Sequence, residues 1–354
     1  KWGINMDFSQ LRKEYKNFFV PAMRIKIDNT DISTLGVKVT NINVTLELDD
    51  PSSANFTITN IYDIKSSSIN QKLKDKLKLG GKVSIELGYE SNLRNVFSGY
   101  INNLSYEFDE MPCITVAALD IRGLMRRNIR RGLQFDEKKY SDVAKKILDK
   151  YKSICPNQKI DATSDEIEHI MQDKVSDLDF FRYVIGPKAQ REFLVMGDTA
   201  YFREYDKDKT PILTLEKGKG LISFSCSSSY CNETIKIYGH DESKKEVLVV
   251  SQEVKTSKDV ASLVSGGIVV ELAVSDADDN SKASYYLHTE VKNRLRGVQS
   301  GSGSCIGLPE LIPGKYIKID KLDPSVNKTY YLNQVKHSFK TDGFITEFDL
   351  GGWL

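Results

Sequence analysis

Leu79-Gly80-Gly81-Lys82-Val83-Ser84-Ile85-Glu86-Leu87-Gly88-Tyr89, followed by Val96-Phe97-Ser98-Gly99-Tyr100-Ile101, carries the clearest structural signal in the chain. After the Gly80-Gly81 turn, apolar residues alternate with lysine, serine and glutamate, the period-two pattern of a strand with one wet face. The same alternation recurs in Met23-Arg24-Ile25-Lys26-Ile27, Val44-Thr45-Leu46-Glu47-Leu48, Phe56-Thr57-Ile58 and Ile114-Thr115-Val116. Turn residues Asp28-Asn29 and Asp49-Asp50-Pro51 bound these runs. Residues 20–121 therefore read as an antiparallel β-sheet or barrel.

On the N-terminal side, residues 1–19 read as a helical arm, with Phe8, Leu11, Tyr15, Phe18 and Phe19 near one face and Pro21 ending it. The arm packs on its own chain or contacts a partner. On the C-terminal side the period changes. Residues 122–211 read as a small α+β domain with helices over 140–148 and 177–185, the second ended by Gly186-Pro187. Two strands, 192–196 and 199–203, turn at Gly197-Asp198. Strand patterns resume over 212–254 and again over 306–354, and these are assigned to one second β-domain. The stretch 255–305 is then an insertion with a helix over 283–296 and a flexible Gly/Ser linker over 297–304. The expected fold class is mainly β with an α+β insertion: two β-domains of similar size and a small helical domain. No short repeat is evident.

The 354 residues carry Lys+Arg 50 against Asp+Glu 49, a formal charge of +1. This balance argues against a dedicated nucleic-acid binder, and 40% hydrophobic content argues against disorder. Five cysteines at irregular spacing do not describe a disulfide framework, which points to a reducing compartment. The opening KWGINMDFSQLRKEYK is polar and does not read as a signal peptide. The apolar run 268–274, interrupted by Glu271, is too short to span a bilayer, so no stable membrane insertion is expected.

The order of segments resembles the phage late control protein D family, which includes baseplate hubs of contractile tails and the hub portion of VgrG spike proteins. The resemblance runs through Pro21-x-x-x-Ile25-x-Ile27, Leu79–Tyr89, Val96–Ile101 and Val116–Asp120, then Gln172-x-x-x-Ser176-Asp177-x-x-Phe180. It closes with Leu308–Ile317, Tyr331–His337 and Gly343–Leu350. It covers residues 20–354, fits 255–305 poorly, and rests on the order of the pieces. The resemblance implies two tube-like β-domains per chain and a homotrimer. It implies a structural adaptor, not an enzyme, between a hexameric tail tube protein and a trimeric spike. It further implies baseplate wedge components as neighbours, and a protein made in the bacterial cytoplasm and assembled into a phage tail, tailocin or injection particle. Because the chain ends at Gly351-Gly352-Trp353-Leu354, the spike is expected to be a separate protein. The alternatives are a tail-associated cell-wall hydrolase or glycan-binding component, and a type VI secretion hub.

Among candidate sites, Arg122, Arg126, Arg127, Arg130 and Arg131 form the most basic cluster. Without interleaved aromatics it reads as a solvated face, or as an oligomer or channel interface where three-fold repetition would multiply the charge. Cys226, Cys231 and His240 lack the second well-spaced pair of a zinc site. Asp276, Asp278 and Asn280 begin like a calcium loop, but Ser281 and Leu287 stand where glycine and glutamate are needed. No nucleophile elbow, phosphate loop or paired metal-binding histidines occur, so no catalytic residue, metal or cofactor is assigned.

Overall fold

The computed structural model describes residues 7–63, 67–164, 167, 169–204, 209–241 and 244–353. Residues 1–6 of the arm lie outside the described residues.

Six strands build a first module: β1 Pro21–Ile27, β2 Lys38–Glu47, β3 Ser53–Thr59, β4 Lys82–Tyr89, β5 Asn92–Glu107 and β6 Cys113–Leu119. Six more build a second: β7 Pro211–Lys217, β8 Gly220–Ser228, β9 Gln299–Ile306, β10 Tyr316–Asp320, β11 Thr329–Lys340 and β12 Gly343–Trp353. Alternation buries one face of each strand, as in β3, where Ala54, Phe56 and Ile58 point inward. The first module runs in the order β1-β4-β5-β6-β3-β2, and the second runs β7-β10-β11-β12-β9-β8. The two orders coincide, strand for strand.

They differ in direction and closure. β1 is antiparallel to β4, whereas β7 is parallel to β10. A short parallel contact between β7 and β8 closes the second module into a six-stranded barrel. In the first module β1 and β2 do not pair; a cleft of about 620 Å³ lies between them, lined by Phe18, Pro21, Val39, Phe339 and Phe344. β2 turns outward instead and pairs antiparallel with β11, from Gln334 opposite Glu47 to Phe339 opposite Ile42. This ladder joins the modules into one 13-stranded sheet that also includes the short strand Thr30–Asp31. One apolar core runs through both modules, from Leu11 and Ile25 to Leu350.

The arm is a short helix, Phe8–Glu14, capped by Asp7. It ends earlier than the periodicity predicts, because Lys16, Asn17 and Phe18 take positive φ values and the helix breaks there. Leu11 and Tyr15 are buried, so the described part of the arm packs on its own chain.

Between the modules, helices Ile121–Arg127 and Tyr140–Asp149 and a three-stranded sheet enclose a separate core of Val143, Ile147, Phe180, Phe181 and Phe202. The helix begun at Asp177 does not stop at Gly186-Pro187. A π turn over Phe180–Ile185 leads into a further α turn, Gly186–Ala189. Pro187 sits in the first turn of that segment.

Two expectations about the second β-domain are corrected. Strands Asn232–Asp241 and Glu246–Lys255 do not join the barrel; they pair with each other, and the first also pairs with Ile268–Ala273. Helix Asn280–Val298, longer at both ends than the pattern 283–296, covers this sheet through Leu287 and Val291. The Gly/Ser stretch is no linker either. Residues 299–306 form β9, hydrogen-bonded on both sides to β8 and β12. Its glycines serve close packing: a Cβ on Gly303 would meet the Phe348 ring at 2.6 Å and Ser223 O at 2.8 Å.

Two measurements test this packing. Gly303→Ala is expected to destabilise the fold by about 1–3 kcal/mol in denaturant unfolding. Gly297→Ala, with nothing within 4 Å of the added carbon, should leave stability unchanged or raised. The second measurement concerns His337 on β11, fully buried, its Nδ1 3.0 Å from Thr346 Oγ1. That hydroxyl oxygen also accepts the Leu308 N–H at 2.9 Å. Burial pushes the His337 pKa down from 6.5 to about 4. The unfolded chain thus binds a proton first, and this residue's contribution is present above about pH 6.5 and lost as pH falls towards 4. His337→Gln should lose about 3 kcal/mol less stability than wild type across that window.

Candidate interaction surfaces

The five arginines do not act together. Arg122 is 1% exposed and pairs with buried Asp120 at 2.7 Å. Its remaining donors reach Glu47 O at 3.1 Å, Leu48 O at 2.9 Å and Ser52 Oγ at 2.8 Å. A guanidinium so fully satisfied ties the loop after β2 to the helix after β6, and it is withdrawn from any surface. Arg126 pairs with Asp50, and Arg127 donates to Asn102 Oδ1 at 3.3 Å on β5. Arg126, Arg127, Arg130 and Arg131 remain exposed.

The motif Gln172…Ser176-Asp177…Phe180 also proves to be a structural knot. Asp177 is fully buried and accepts from Tyr151 Oη at 2.6 Å, Asn128 Nδ2 at 2.8 Å and Gln172 Nε2 at 2.9 Å. Ser176 Oγ caps the helix by accepting the Asp179 N–H at 3.0 Å, and Phe180 anchors the core beneath. Every oxygen is committed to holding the fold, so the carboxylate is not placed for acid–base work.

Among the described residues no group of three or more His, Cys, Asp or Glu could hold a metal ion. Cys231 is buried with its thiol near Val254 O, and Cys226 lies on β8. No helix among the described residues is long and apolar enough to cross a membrane.

A buried polar cluster locks the arm across both modules. Tyr15 of the arm donates to Glu310 Oε1 of the second module, and Arg94 Nε of β5 lies 2.8 Å from the same oxygen. Arg94 Nε also reaches Tyr15 Oη at 3.1 Å, and Tyr89 Oη donates to Gly307 O at 2.9 Å. Burial pushes the Glu310 carboxyl above its usual range, with the Arg94 guanidinium opposing. Burial and the facing carboxylate raise the Tyr15 phenol as well.

Around the joint the two modules repeat one another in detail. Gly80 and Gly314, both at positive φ, turn the chain into β4 and β10. Gly80 N donates to Ile101 O at 2.8 Å, and Gly314 N donates to Leu332 O at 2.9 Å. Ile101 N and Leu332 N return bonds to Gly81 O and Lys315 O. Both ladders then slip at the next step, after Ile101 and after Leu332. The side chains follow: Tyr100-Ile101-Asn102-Asn103-Leu104 with Phe108 matches Tyr331-Leu332-Asn333-Gln334-Val335 with Phe339. This repeat escaped the reading of strand patterns. Its signal was a shared Tyr-apolar-Asn-amide-apolar run with phenylalanine eight residues after the tyrosine.

Beyond the slip, β11 has a partner on the edge it shares with β10, namely β2. Among the described residues, the matching edge of β5 beyond Ile101 pairs with no strand. Nor does the edge of β8 beyond Leu221 that faces away from β9. Tyr106 is 45% exposed, Phe108 61% and Ile222 59%. These edges are the most conspicuous unsatisfied surfaces of the two modules.

Comparison with known structures places the fold. A tail protein from Neisseria meningitidis superposes with a TM-score of 0.69 at 10% identity, covering 94% of this chain and 97% of that one. A 43 kDa tail protein of prophage MuSo2 from Shewanella oneidensis gives 0.66 at 11% identity, covering 94% and 98%. A type VI secretion component from Escherichia coli, described as structurally similar to bacteriophage T4 tail proteins, gives 0.56 at 14%, covering 94% and 77%. No curated protein matches the sequence. At such identities the likeness is one of fold, a fold shared with these phage-tail and type VI proteins. A family model described as the Alg8 N-terminal domain matches residues 19–341, most of the chain, and the chain belongs to that family.

Proposed function

We propose that the protein is a structural baseplate hub, a homotrimer that adapts a hexameric tail tube to a three-fold spike. The observation that carries this reading is the shared strand order of the two modules, β1-β4-β5-β6-β3-β2 and β7-β10-β11-β12-β9-β8. A chain with two similar modules, joined side by side through β2 and β11, lets three copies present six similar surfaces to one partner. Towards the other partner the same assembly keeps three-fold symmetry. The departures between modules, one closed and one open, distinguish alternate positions around such a ring.

The chemistry agrees with an assembly protein and not with turnover. Asp120 and Asp177, the most deeply buried aspartates, are consumed by Arg122 and by the Tyr151–Asn128–Gln172 set. The tail and type VI proteins that share the fold support assembly with other tail components; tube, spike and wedge proteins are the neighbours this reading proposes.

The purified protein should sediment as three chains at micromolar concentration and should show no hydrolysis of peptidoglycan. A mass of one chain throughout that range, or hydrolysis abolished by exchange of one or two carboxylates, would overturn the reading.

A further inference from the structure

We infer that β5 of one copy pairs antiparallel with β8 of the next, repeating between copies the β11–β2 ladder that joins the modules within each chain. The proposal rests on the trimeric reading above and names its interface.

Transfer of register through the ladders gives the pairs. Tyr106 lies opposite Ile114 as His337 lies opposite Thr346, which makes Tyr106 the counterpart of His337. On the other side, Ala54 lies opposite Val44 and Ala118, while Gly301 lies opposite Cys226 and Leu350. Cys226 is therefore the counterpart of Val44. Within the chain His337 faces Val44, Lys336 faces Thr45 and Phe339 faces Ile42. Between copies Tyr106 then faces Cys226, Ser105 faces Ser227 and Phe108 faces Phe224.

Three features support this occupant. First, the interface continues one already present in the chain, edge for edge, including the slip that frees each strand for a second partner. Second, both edges are sparsely charged. Residues 102–106 and 222–231 contain no charged side chain and Glu107 is the one charge within the proposed register, although 28% of the chain is charged, and lysine or glutamate on such edges is the usual guard against pairing. Third, the contact is heterologous, so each copy offers β5 to one neighbour and β8 to the other, and three copies can close into a ring. Arg127, bonded to Asn102 at the foot of the β5 edge, would border the joint.

The test is a disulfide. Directly opposite residues of an antiparallel pair hold their Cβ atoms ~4.5–5.5 Å apart, near the separation a disulfide spans. The full chain carrying Ser105→Cys and Ser227→Cys, two exposed serines, is mildly oxidised and run without reductant. Species of two and three chains are expected, lost on reduction, with peptide mapping that links 105 to 227. Thr45→Cys with Lys336→Cys calibrates the geometry, since that pair is opposed within one chain and should close without raising the mass. Ser227→Arg, which places charge on the edge, should lower the trimer fraction at least tenfold at micromolar concentration. A wild-type trimer whose 105–227 pair stays unlinked while 45–336 closes would overturn this interface and leave the hub reading standing. A wild-type protein that stays monomeric would overturn both.

Discussion

The pairing of β2 with β11 is the constraint on which the rest of the molecule depends. A strand that left the first module unpaired would expose a row of backbone donors and acceptors. Turning β2 towards β11 satisfies that row and leaves the first module open between β1 and β2. The same choice merges two cores into one, because Val44 and Leu46 enter the interior that also holds Val335 and Phe348. The modules cannot separate without uncovering that apolar surface, and each fully buried side chain of this kind is worth roughly 1.5–3 kcal/mol.

The arm reinforces the joint by different means. Tyr15, Arg94 and Glu310 come from three separate parts of the chain and meet where Tyr15 and Glu310 are buried and Arg94 is partly exposed. A carboxylate with so little solvent is tolerated only while its partners stay in place. The cluster therefore adds little when complete, but its disruption strands a charge. It fixes the geometry of the arm more than it adds to stability.

The strands of the first module were legible because their outer faces are wet, so alternation survives in the sequence. Where both faces are covered or the neighbours crowd in, it fails. β9 reads Gln-Ser-Gly-Ser-Gly-Ser-Cys-Ile, and its glycines resemble a linker although the Phe348 ring is what demands them. Strands 232–241 and 246–255 were recognisable as strands, yet a period of two says nothing about which sheet a strand joins. Arg122 looked like its basic neighbours; only the closeness of Asp120, which both caps the helix and pairs with it, set it apart. The segment order pointed to the hub fold because backbone ladders tolerate almost any side chain. That tolerance also explains how the fold persists at about 10% identity.

The slip in β11 after Leu332 has a mechanical consequence. It lets a single edge serve two partners in succession, β10 and then β2, so the strand acts as a splice between modules. Tension along a splice is shared by all its rungs at once, whereas tension across it opens them one after another. A protein joined in this way resists sliding of one module along the other, and the core shared by the two modules resists their separation.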